Sequence, residues 1–180
     1  MRHTLVAGNW KLNGSLQSVK ELISGIKAGA GEAGGTQIAV CPPFVYIPLV
    51  SELLAGSSIA WGSQDVSDQE SGAFTGEISA AMLQEFGCRY AIVGHSERRA
   101  DHGETSEVVR AKAEAAHRAG LTAIICLGET LVQREAGETL AVVHEQLKAS
   151  LPEGSTGSNT IIAYEPVWAI GTGHTPTITQ

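Results

Sequence analysis

The sequence predicts an α/β protein, a single domain over residues 1–180 in which about six β/α units form part of a (β/α)8 barrel. Three observations lead there. Short apolar runs recur roughly every thirty residues, longer stretches with helical spacing separate them, and polar, chemically capable residues follow nearly every run.

The elements follow in order. The apolar runs at 5–7, 38–41, 59–61, 90–93, 123–127 and 161–164 are too short for helices. Most are rich in Ile and Val and bounded by Gly or Pro, as expected of strands buried on both faces of a parallel sheet. The first leads into Gly8-Asn9-Trp10-Lys11, and the stripe Leu16, Val19, Leu22, Ile23 and Ile26 then marks a helix. The third leads into Gly62-Ser63-Gln64-Asp65, and Ile78, Met82, Leu83 and Phe86 mark a second helical stripe, closed by Gly87. After the fourth comes Gly94-His95-Ser96-Glu97, then an alanine-rich helix carrying Val108, Ala111, Ala115, Ala116 and Ala119, closed by Gly120. The fifth gives Gly128-Glu129, followed by the stripe Leu140, Val143, Leu147 and Leu151. The sixth gives Glu165 directly.

An open doubly wound sheet gathers its functional residues at one switch point, whereas a barrel collects them from the ends of many strands. Here they follow nearly every strand, which favours the barrel. A complete barrel takes about 250 residues. Gln180 falls where a sixth helix is expected to begin, so units seven and eight are expected to lie outside this stretch.

Composition narrows the function. A net charge of −7 leaves no basic stripe for nucleic acid, although a local site can still bind a small anion. Cys41, Cys88 and Cys126 lie in or beside apolar stretches with no CxxC spacing, which suits buried reduced thiols. The N-terminal apolar run is too short for a signal peptide and no segment is long enough to span a bilayer, so a cytoplasmic protein is expected. His3, His102, His117, His144 and His174 show no metal-binding spacing, so neither metal nor cofactor is expected.

Four stretches carry a resemblance: Gly8-Asn9-Trp10-Lys11-Leu12-Asn13; Gly72-Ala73-Phe74-Thr75-Gly76-Glu77; Val93-Gly94-His95-Ser96-Glu97-Arg98-Arg99; and Ala163-Tyr164-Glu165-Pro166-Val167-Trp168-Ala169-Ile170-Gly171-Thr172-Gly173. In order and spacing, and along essentially the whole chain, the sequence resembles the triosephosphate isomerase family. That resemblance implies the TIM-barrel fold and a glycolytic and gluconeogenic isomerase. Its reaction interconverts dihydroxyacetone phosphate and D-glyceraldehyde 3-phosphate through an enediolate, with no cofactor.

The site residues follow by the same resemblance. Glu165 is the general base that takes a proton next to a carbonyl, and Pro166 biases it toward extended backbone. His95 is a neutral electrophile, and the helix expected to open at Ser96 disfavours a second proton on its ring. Lys11 supplies positive charge to enediolate and phosphate, Asn9 supports it as a donor, and Glu97 pairs with Lys11. Residues Pro166 to Pro176, including His174 and Thr175, form a lid whose Gly171-Thr172-Gly173 backbone meets phosphate. Trp168 is expected to exchange between Tyr164 and Glu129 as the lid moves. The two lid glycines are too few for a GxGxxG dinucleotide loop. Thr75 is expected to reach Asn9 and His95 of a second subunit, giving a homodimer.

The sequence departs from the family at His174, where many relatives carry lysine. The family's phosphate-binding serine after strand seven and Gly-Gly turn after strand eight lie beyond these 180 residues. With Lys11 and Gly171 alone, phosphate is expected to be held weakly. An inactive barrel fragment that self-associates or needs a complementary segment is therefore the alternative. A barrel aldolase would need a Schiff-base lysine, and Lys11 is the strand-end lysine available for it.

Overall fold

The computed structural model describes residues 4–170 and Thr177. Gly171, Thr172, Gly173, His174, Thr175 and Pro176 of the expected lid lie outside the described residues. Six strands form one parallel sheet: β1 (Leu5–Asn9), β2 (Gln37–Cys41), β3 (Ala60–Ser63), β4 (Tyr90–Val93), β5 (Thr122–Leu127) and β6 (Thr160–Tyr164). Their spatial order is the order of the chain, β1-β2-β3-β4-β5-β6. A doubly wound sheet reverses direction at a switch point; this one never does, and it curls as part of a barrel.

The side chains confirm which face is which. One cluster holds Ala39, Cys41, Ala60, Tyr90, Ile92, Ile124 and Cys126, with Leu5, Ile161 and Ala163 against it. Every member comes from a strand, so this face is the barrel interior. The alternate residues Ala91, Val93, Ala123 and Ile125 face outward onto helices. Those helices are α1 (Leu16–Gly29), α2 (Ile47–Leu54), α3 (Ala80–Glu85), α4 (Ser96–His102), α5 (Ser106–Arg118), α6 (Leu131–Glu135) and α7 (Thr139–Ser150). Val40, Ile59, Val50 and Leu54 close on Val19 and Ile23 of α1 in a third cluster, into which Trp10 packs.

The strands fall within a residue or two of their expected places, apart from longer ends to β1 and β3. The helical stripes need correction. Val19, Ile23 and Leu83 are buried as expected, but Leu16, Met82 and Leu140 are exposed. The sequence reading marks neither the five-residue α6 nor α2, an eight-residue helix that buries the stripe Ile47, Val50 and Leu54. Outer strands β1 and β6 each pair on one side among the described residues, and Val6 and Ile162 remain exposed on them. No described helix is long and apolar enough to cross a membrane.

Candidate active site

The alternation of strand residues fixes where the functional groups point. Along β4 the even positions Tyr90 and Ile92 face inward, so unbroken extended chain would turn residue 95 outward. Gly94 interrupts the phase with φ +68°, a left-handed conformation that glycine adopts freely. His95 then caps α4, as the expected helix at Ser96 implies, and lies buried. Along β6 the inward positions Ile161 and Ala163 carry the phase directly to Glu165.

These two residues meet. His95 Nε2 lies 3.0 Å from Glu165 Oε1, and the Ser96 N–H donates to Glu165 Oε2 at 3.0 Å. The Glu97 N–H donates to His95 Nδ1 at 3.2 Å. A ring nitrogen that accepts from a backbone N–H carries no proton, so Nε2 bears the hydrogen and donates it toward Glu165. Glu97 Oε2 also stands 3.5 Å from Nδ1, which taken alone favours a proton there. The shorter contact decides, because the backbone donor is fixed in place and the Glu97 carboxylate is already paired with Lys11 Nζ at 2.5 Å through Oε1. Glycine is required behind Glu165: a Cβ on Gly128 would stand 1.7 Å from the Glu165 carbonyl oxygen.

Lys11 occupies strained backbone, with φ +51°, the one positive φ of a non-glycine residue among those described. Such a conformation costs roughly 1–3 kcal/mol and persists only where neighbours enforce it. Two do so. Asn9 Oδ1 accepts the Lys11 N–H at 2.9 Å, and Gln64 donates through Nε2 to the carbonyls of Lys11 at 2.9 Å and Cys41 at 2.8 Å. Asn9, Lys11, Gln64, His95 and Glu97 line a cavity of about 440 Å³.

Behind α4 lies a buried ionic network. Lys112 Nζ donates to both Asp65 oxygens, at 2.7 and 2.8 Å, and to Glu104 at 2.5 Å; Arg98 Nε pairs with Glu104 at 2.6 Å and Asp65 at 3.0 Å. Burial pushes the Glu104 carboxyl up, but the Lys112 and Arg98 hydrogen bonds and charges outweigh it and hold the group below its usual range. Asp65 moves the other way, because burial outweighs its attraction to Lys112.

The start of the expected lid is also tied down. Glu129, with no solvent exposure, accepts from the Tyr164 hydroxyl at 3.0 Å, Trp168 Nε1 at 3.1 Å and Arg134 Nη1 at 3.1 Å. The Arg134 guanidinium also stacks 4.5 Å from the Trp168 ring. Burial pushes Glu129 up, but its own backbone N–H and these donors hold it below the ordinary carboxylate range. Of the two expected partners of Trp168, this structure shows its indole N–H on Glu129.

Among the expected residues, Asn9, Lys11, His95, Glu97 and Glu165 thus come together. Thr75 sits apart on the exposed turn after Gly72, and Gly171 lies outside the described residues. Gln64, Arg98, Asp65 and Lys112 were not expected at the site. The only signal for them is the polar run after strand three and the Arg98-Arg99 pair after His95.

The chain matches the family model described as triosephosphate isomerase over residues 4–180. It is 55% identical to the triosephosphate isomerase of Dechloromonas aromatica over 184 aligned residues, covering all of this chain and 73% of that protein. It is 57% identical to that of Ralstonia nicotianae over 181, covering 99% of this chain and 72% of that one. The crystal structure of triosephosphate isomerase from Bartonella henselae superposes with a TM-score of 0.88 at 44% identity, covering 93% of this chain and 69% of that one.

Proposed function

The chain belongs to the triosephosphate isomerase family and is an isomerase; on that premise we propose that it interconverts dihydroxyacetone phosphate and D-glyceraldehyde 3-phosphate. The single observation that carries this reading is the 3.0 Å approach of His95 and Glu165 beside the cavity that holds Lys11.

The chemistry follows from those groups. Glu165 leaves Ser96 and His95 and takes the proton from the carbon next to the substrate carbonyl, a step in which a placed base contributes about 10²–10⁴-fold. The His95 Nε2–H donates to the carbonyl oxygen as negative charge grows there. His95 passes that proton to the former carbonyl oxygen and takes the one on the hydroxyl of the deprotonated carbon, and Glu165 returns its proton to the neighbouring carbon as the new carbonyl forms. The Lys11 ammonium stabilises the developing oxyanion and attracts the substrate phosphate, since a fixed positive charge in a sheltered site needs no reorganisation. Asn9 uses its carbonyl on the Lys11 backbone, which leaves its amide N–H groups to donate to substrate. Glu97 keeps Lys11 directed across the cavity.

In this reading residues 166–176 close over the bound triose, with Gly171 on its phosphate, and release of Trp168 from Glu129 accompanies opening. Two copies associate in the cytoplasm with Thr75 in their interface; exposed Phe74 beside it and 97%-exposed Leu12 at the cavity mouth supply the apolar surface that such contact buries. A second reading, a non-catalytic half-barrel that self-associates or binds a complementary segment, draws on the exposed Val6 and Ile162 of the outer strands. A coupled spectrophotometric assay of the full-length protein with each triose phosphate separates them. Turnover in both directions is expected, and a folded protein that converts neither substrate overturns the isomerase reading.

A further inference from the structure

Arg99 lies behind the cavity, yet its guanidinium joins the strands that support the acid–base pair. Nε donates to the Gly94 carbonyl at 2.9 Å and Nη2 to the Cys126 carbonyl at 3.3 Å. On its far side Nη1 donates to Ser106 Oγ at 3.1 Å and Nη2 to Ser150 Oγ at 3.1 Å. One planar group thereby ties the end of β4, the end of β5, the start of α5 and the end of α7. Gly94 immediately precedes His95. Leu127, the residue after Cys126, accepts the Glu165 N–H at 2.7 Å. The guanidinium therefore lies on a short path of hydrogen bonds between the two reacting side chains. The turn around it is tight: a Cβ on Gly94 would lie 3.0 Å from Arg99 Nη2 and 2.7 Å from Val109.

We propose that Arg99 is a positioning residue that sets the spacing of His95 and Glu165 by holding the ends of β4 and β5 in register. The proposal rests on the reading of those two residues as the acid–base pair. All four hydrogen-bond acceptors are neutral, so the fork's geometry is what ties these elements together, while the guanidinium charge also acts through space on Glu104 and Glu165. A lysine keeps the charge but replaces a rigid fork of donors with a single ammonium, which cannot reach acceptors on four elements. Lys11, the phosphate anchor, makes no contact with Arg99. Loss of the fork should therefore appear in kcat and leave KM nearly unchanged, since misplacement by about 1 Å costs on the order of 10²-fold in rate.

The test uses the full-length protein with Arg99→Lys and Ser150→Ala, the second removing one distal partner with minimal disturbance of packing. Steady-state kinetics are read beside circular dichroism and the ¹⁵N resonances of the His95 ring. For Arg99→Lys the expected result is a folded protein with kcat down by about tenfold or more, KM within about threefold, and shifted His95 resonances. Ser150→Ala should move kcat and the ring resonances in the same direction by a smaller amount. A folded Arg99→Lys with kcat within twofold of the parent overturns the proposal, as does a loss carried by KM. If Arg99→Lys does not fold, Ser150→Ala decides: unchanged kcat and unchanged ring resonances overturn it. Glu165→Gln measured alongside keeps the two ideas apart. Parental activity there sinks the acid–base reading itself, whereas its loss beside an active Arg99→Lys sinks only the positioning role.

Discussion

Glu165→Gln in the full-length protein is expected to lower kcat by about a hundredfold or more, with KM within a few-fold of the parent. The amide is nearly isosteric with the carboxylate, so packing against Gly128 and the Leu127–Glu165 backbone bond should survive. What disappears is the ability to accept a proton from carbon. On the proposed reading the phosphate is held by Lys11 and Gly171 rather than by Glu165, which is why only a small change in KM is expected. A fall in kcat of less than about tenfold would be too small for the loss of a positioned general base, and would remove Glu165 from that role.

Lys112→Met is the substitution expected to damage stability most. The ammonium is almost fully enclosed and neutralises two carboxylates, Asp65 and Glu104, that are themselves buried. Methionine fills comparable volume, so the lost quantity is charge rather than packing. Removing one partner of a buried ionic group typically costs about 3–5 kcal/mol, because the remaining charge stays desolvated. Arg98 still faces both acids and keeps the loss toward the lower end of that range. Urea unfolding of the full-length protein measures it, and a loss below about 1 kcal/mol would show that the network is not held as described. Replacing Glu104 by Gln in the same variant should recover part of the loss, since Arg98 then faces one buried carboxylate instead of two.

The strands were legible in the sequence because they are short apolar runs, most of them with Gly or Pro at a boundary, a pattern set locally by burial on both faces. The family resemblance singled out His95, Glu165 and Lys11, and their places after strand ends explain why the structure brings them together, since all strand ends of one polarity meet at one rim of a barrel. The helices were harder to read. Leu140 and Leu16 continue their apolar stripes in the sequence but face solvent in the fold, since what covers a helix is decided by distant segments. The supporting residues were hidden for the same reason. Arg99 reaches Ser150 across 51 positions and Lys112 reaches Asp65 across 47, and neither spacing has a local signature. The strained φ of Lys11, and the Gln64 amide that helps hold it, likewise exist only once β1, β2 and β3 lie side by side.

Solvent isotope incorporation probes the shared acid–base centre without intermediaries. With the full-length protein in D2O, a proton removed by Glu165 exchanges with solvent before it returns, so deuterium should appear on carbon in product and in recovered substrate. Glu165→Gln should lose this exchange in step with its turnover. Isomerisation that proceeds at the parental rate with no deuterium entering carbon would mean that hydrogen passes directly between the two carbons, and no carboxylate at β6 would then be needed.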